Sequence, residues 1–61
     1  MTTMEAYEHL KKLVESAAED VQKTEGGNKA AGTRVRKTMQ DIKNAAQDVR
    51  KAVLSARGES E

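Results

Sequence analysis

The chain has 61 residues, with eleven Lys+Arg against ten Asp+Glu, one His, no Cys and a single aromatic residue, Tyr7. At this length it is one domain at most, and without disulfides or a metal a chain so short points to oligomerisation, a lone monomeric hairpin being marginal. The lack of Cys points to a reducing compartment, and one His with no Cys gives no basis for a structural zinc site.

The charge is unevenly spread. Residues 1–25 carry three basic against six acidic side chains, a net of −3. Residues 26–58 carry eight against two, a net of +6, and Glu59 and Glu61 return the total to +1. Such asymmetry is a hint of contact with nucleic acid or a membrane surface. No apolar run approaches the roughly 18–20 residues of a membrane span, and the start has no signal-peptide pattern. The expectation is a soluble, cytoplasmic protein without a membrane partner.

The first predicted helix covers about 3–25. Thr2 and Glu5 have capping-box spacing, with Thr3 as an alternative cap. Tyr7, Leu10, Val14, Ala17 and Val21 then recur at steps of 3, 4, 3 and 4. Ala6, Leu13 and Ala18 widen this stripe on its flanks. An average step of 3.5 residues suits pairing with another helix.

Gly26-Gly27-Asn28 follows as a turn at 26–28. A Gly pair sits badly inside a helix, and Asn28 is a good N-cap because its side-chain oxygen can accept from free N–H groups. The segment from Gly26 to Lys37 holds three of the four glycines and four of the basic residues: Lys29, Arg34, Arg36 and Lys37. Backbone N–H groups at a helix start, joined by these cations, can bind phosphate. The competing reading is an ordinary helical-hairpin turn beside a solvated basic face.

The second predicted helix covers about 29–57, roughly 40 Å long. Its apolar stripe is Val35, Met39, Ile42, Ala46, Val49, Val53 and Ala56. Gly32 costs up to about 1 kcal/mol against Ala so early in the helix, and it marks either a close approach or a ragged start. Gly58 signals the C-terminal cap, and residues 58–61 form an acidic tail. At 100° per residue, Lys29, Thr33, Arg36, Gln40, Lys43, Asn44, Gln47 and Lys51 share about a third of the circumference, with Lys37 at the margin. No acid falls there, and Arg34 lies apart, nearer Asp41 and Asp48. A strip of this kind suits a polyanion, although a solvated helix face has the same pattern.

The predicted fold is all-α: a two-helix hairpin with a short Gly-Gly-Asn turn. The second stripe is longer than the first, leaving Val49 to Ala56 partly uncovered, and the core is small. Two hairpins packed as a four-helix bundle or coiled-coil-like dimer would meet the missing burial. The candidate core and dimer residues are Leu10, Val14, Ala17, Val21, Val35, Met39, Ile42, Ala46, Val49 and Val53. No catalytic constellation is present, no cofactor or small-molecule substrate is implied, and His9 reads as a surface histidine.

From Gly27 through Asn28-Lys29-Ala30-Ala31-Gly32-Thr33-Arg34-Val35-Arg36, the chain resembles the N-terminal domain of the chlamydial-type histone-like nucleoid proteins. The resemblance covers roughly residues 10–55, with about a dozen specific positions: a GNKAA segment, then an R-x-R pair, then a second basic cluster at Arg50-Lys51. It implies a small helical bacterial protein that compacts double-stranded DNA without strong sequence preference. The implied DNA-binding residues are Lys29, Arg34, Arg36 and Lys37, with Asn28 shaping the helix start and Arg50 and Lys51 as additions; Lys43 joins them from the basic strip. Chlamydial members carry a long Lys/Ala-rich tail where this chain ends in Glu-Ser-Glu, so the expected DNA affinity either resides in the folded domain or is modest. The alternative function is a helical oligomerisation module that does not bind nucleic acid directly.

Overall fold

A computed structural model describes residues 1–58; the acidic tail expected at Glu59-Ser60-Glu61 lies outside the described residues. Two helices, α1 (Thr3–Glu25) and α2 (Lys29–Ala56), pack against each other as an antiparallel hairpin. There is no strand among the described residues.

Local chemistry accounts for both ends of α1 and the start of α2. At the start of α1, Thr2 Oγ1 accepts from the Glu5 N–H at 3.0 Å, and the Thr2 N–H donates to Glu5 Oε1 at 2.8 Å. This reciprocal pair satisfies two donors that the helix leaves unpaired. It also stabilises the Glu5 carboxylate, whose pKa lies below its ordinary value chiefly because of the bond from the Thr2 backbone. At the end of α1, the Gly27 N–H donates to Thr24 O at 3.0 Å and the Asn28 N–H to Lys23 O at 3.0 Å. That is a Schellman closure, and it requires Gly27 in the left-handed region at φ 95°.

Asn28 serves both helices. Its N–H closes α1, while its Oδ1 accepts from the Ala31 N–H at 2.9 Å and caps α2. The turn is short because one residue does both tasks. Gly32 is a regular part of the first turn of α2, its N–H donating to Asn28 O. A Cβ built there would meet Thr24 Cγ2 at 3.6 Å, an ordinary contact, so neither a ragged start nor a tight approach explains this glycine.

The seam between the helices corrects the expected stripes. In α1 it comprises Ala6, Leu10, Leu13, Ala17 and Asp20; Tyr7, Val14 and Val21 are exposed. In α2 it comprises Ala31, Val35, Thr38, Ile42, Ala45, Val49 and Ala52, with Met39 and Val53 exposed and Ala46 half-buried. Leu10, Ala17, Val35, Ile42 and Val49 are common to both readings. The second column of each expected stripe is one residue too far along the chain.

Both columns keep the 3–4 spacing, so periodicity does not choose between them. Packing places the smaller of two neighbours on the seam at Ala6 (over Tyr7), Thr38 (over Met39) and Ala52 (over Val53), and the larger at Leu13 (over Val14). Among the described residues, the buried ones are all alanines: Ala6, Ala17, Ala31 and Ala45. Thr3 is half-buried on the seam, whereas Val53 and Ala56 near the end of the longer α2 are exposed.

Candidate nucleic-acid interface

Seam residues at alternating steps of 3 and 4 define a heptad, with positions a and d facing the other helix. In α2, a is Val35, Ile42 and Val49, and d is Ala31, Thr38, Ala45 and Ala52. Lys29, Arg36, Lys43 and Arg50 then share position b, one cation per heptad on the solvent side. The column steps about 10.5 Å per residue and runs roughly 32 Å along the helix. Lys37, Asn44 and Lys51 follow at position c, and Thr33, Gln40 and Gln47 at f between the two columns.

All these side chains are exposed, and no acidic residue interrupts the strip. Among the described residues, no ion pair engages Lys29, Arg36, Lys43 or Lys51. Arg50 Nη1 donates to Gln47 Oε1 at 3.3 Å, a bond that holds the guanidinium on the same face. Lys37 leans the other way, toward Asp41 at 3.9 Å. A duplex carries one phosphate charge per about 1.7 Å of axis, so a strip of this length faces many acceptors.

The R-x-R pair does not act as a unit. Two residues span 200° on a helix, so Arg34 and Arg36 face opposite sides. Arg34 leaves the strip and binds α1: its Nε and Nη2 donate to Asp20 Oδ1 at 3.1 and 3.0 Å. These bonds hold the Asp20 carboxyl below its ordinary pKa and raise that of Arg34. Asp20 is about four-fifths shielded by its side chain's surroundings, with a relative exposure of 21%. Arg34 thus ties the helices together beside the turn.

The Asn28 side-chain oxygen is engaged in capping. Of the eight candidate DNA-binding residues, the structure gathers Lys29, Arg36, Lys43, Arg50, Lys37 and Lys51 on one solvent-facing strip, and places Arg34 and Asn28 in the hairpin's own architecture. Arg50 looked peripheral in the sequence; its seven-residue step from Lys43 was the signal that aligns it with the main column. Among the described residues, no group of three or more His, Cys, Asp or Glu could hold a metal ion. No helix among them is long and apolar enough to cross a membrane.

The family described as Histone H1-like protein Hc1 matches residues 4–59. The chain therefore belongs to this histone H1-like family, whose members are DNA-binding, architectural proteins of the nucleoid. No curated protein and no solved structure matches the chain.

Proposed function

We propose that this member of the histone H1-like Hc1 family contacts the phosphate backbone of duplex DNA through the outer face of α2, without strong sequence preference, and organises the bacterial nucleoid in the cytoplasm as a homo-oligomer, most simply a dimer. The observation that carries this reading is the acid-free column Lys29, Arg36, Lys43 and Arg50, exposed along the whole of α2. Lys37 and Lys51 flank it. Contacts of this kind gain affinity by releasing counterions and carry little base information. With Tyr7 the sole aromatic residue, far from the strip in sequence, there is no platform for stacking single-stranded bases.

A second reading, an oligomerisation module without nucleic-acid contact, draws on the exposed apolar side chains Tyr7, Val14, Val21, Met39 and Val53. One titration separates the two. Anisotropy of a labelled random-sequence duplex is followed at several salt concentrations for the wild type and for Arg36→Ala/Lys43→Ala/Arg50→Ala. The expected outcome is steep loss of affinity with salt, and a slope shallower in the triple variant by about 2.7 per chain, at roughly 0.9 for each phosphate contact removed. Absence of wild-type binding at low salt, with helicity and oligomer state intact, would favour the second reading.

A further inference from the structure

The apolar residues left out of the seam are ordered, and their order specifies a partner. Apart from Met4 and Ala18 in α1 and Ala30, Leu54 and Ala56 in α2, they are Tyr7, Val14 and Val21 in α1 and Met39, Ala46 and Val53, preceded by Gly32, in α2. Each set repeats every seven residues and occupies position e. In an antiparallel pair the two e positions flank the same side of the seam, so both columns share one broad face of the hairpin. Arg34 and Asp20, at positions g and d, meet on the opposite side, as the same geometry demands.

The columns are also matched in height. The Asp20–Arg34 pair and the Thr24 side chain beside Gly32 fix the register of the two helices. On that register Tyr7 lies level with Ala46, Val14 with Met39, and Val21 with Gly32, within about half a turn. Tyr7, Val14, Val21 and Met39 are 50%, 51%, 41% and 43% exposed. Side chains of this size, at this spacing, are a second seam with nothing against it.

Resting on the homo-oligomer reading above, we propose that a second copy of this chain covers this face, with α1 of each copy lying over α2 of the other. Three observations select that occupant and orientation. The hairpin measures 47 × 18 × 13 Å, so the outline of its broad face, 47 × 18 or about 850 Å², has room for the roughly 800 Å² per partner of a standard specific interface. A two-fold axis parallel to the helices keeps every residue at its own height, so Tyr7 of one copy meets the level of Ala46 in the other and Val21 meets that of Gly32. Large side chains then face small ones at the two outer levels, Tyr7 over Ala46 and Val21 over Gly32, an alternation that lets layers interdigitate, while Val14 meets Met39 at the level between. Finally, the b column of α2 lies beside a partner α1 whose flank and outer face carry Glu8, Glu15 and Glu25 against one base, Lys11, whereas stacking α2 on α2 would bring two cationic columns together.

The test uses the full chain without DNA, so its result is independent of the phosphate-binding reading. Sedimentation equilibrium over a concentration series is expected to show two wild-type chains associating, and Met39→Glu is expected to weaken that association by about a hundredfold or more, because a carboxylate would be buried without a partner. Ser16→Glu, on the opposite face, is expected to leave the dimer intact. Mixing Met39→Glu with Val14→Lys is expected to restore a heterodimer, since the introduced carboxylate of one chain then lies over the introduced ammonium of the other. Rescue also shows that each variant still folds, with far-UV helicity as the companion check. A monomeric wild type overturns both the homo-oligomer reading and this face. A wild-type dimer indifferent to Met39→Glu overturns the face alone. Two monomeric single variants that fail to rescue each other overturn the α1-over-α2 arrangement.

Discussion

The hairpin has two broad faces built from the same two helices, and they differ in almost every physical respect. One carries Tyr7, Val14, Val21, Met39, Ala46 and Val53. The other carries His9, Ser16 and Lys23 from α1 with Arg34, Asp41, Asp48 and Ser55 from α2. On this polar face Arg34 reaches across to Asp20, and the Ser16 hydroxyl donates to Leu13 O at 2.8 Å. Lys23 pairs with Glu19 at 3.1 Å along α1. The polar face satisfies its groups within one hairpin or in water. The apolar face does not, and the alanine-rich seam cannot compensate because no large side chain is fully buried in it. The contrast lies in where each face's groups find partners: the polar face within the hairpin or in water, the apolar face, on the proposal above, in a second copy.

The strongest way to break the contrast is to make the polar face apolar. Asp41→Leu/Asp48→Leu would give the hairpin sticky surfaces on opposite sides. A closed pair would then have unsatisfied apolar surface outside, and contacts of that type propagate rather than close. The expected outcome is a weight-average mass that keeps rising with concentration, against a wild type that stops at two chains. Light scattering during concentration is the direct check, and a variant that stays at the wild-type mass would show that the polarity of this face does not limit assembly.

A smaller effect comes from acid. The Asp20 carboxyl has its pKa lowered mainly by the hydrogen bond from Arg34, with its charge and that of Lys23 adding to it, so the unfolded state binds this proton more readily than the folded one. The stabilisation is therefore present at neutral pH and disappears as pH falls below the ordinary carboxylate range and through the lowered pKa. Asp20→Asn is expected to reduce the melting temperature by a few degrees at pH 7 and to match the wild type in strong acid. Melting curves of both chains from pH 7 to pH 2 would test this, and a difference that persisted unchanged in strong acid would assign Asp20 some other role.

How much of this was legible beforehand depended on whether the deciding interaction was local. The helix ends were, because Thr2 with Glu5, Gly27 and Asn28 act within a few residues of themselves. The first core column was too: Leu10 and Ala17, with Val35, Ile42 and Val49, stand on the seam as the spacing implied. The second column was not, since neighbours such as Leu13 and Val14 both continue a 3–4 pattern, and apolar bulk favoured Tyr7 and Met39 over Ala6 and Thr38, the residues on the seam. Only the packing of one helix against the other selects Ala6 over Tyr7 and Ala45 over Ala46. For the basic strip, the helical wheel separated Arg34 from the rest. Its partner Asp20 became identifiable only once the turn had set the two helices' relative height.

The finest test lies at Lys37, which stands between the two faces. Its ammonium is 3.9 Å from Asp41, one turn on, with the two side chains 80% and 48% exposed. Exposed pairs four residues apart contribute only about 0.3–0.5 kcal/mol in a helix, and salt weakens them further. Lys37 therefore has little hold on the polar face and is free to swing toward the b column. Lys37→Ala should leave thermal stability almost unchanged while lowering the salt slope of DNA binding by about 0.9, the share of one phosphate contact. The comparison variant is Lys23→Ala, which removes a similar exposed pair from α1. If both leave the slope unchanged, Lys37 belongs with the ion-paired face; if Lys37→Ala alone lowers it, the DNA-binding strip extends around α2 to position c.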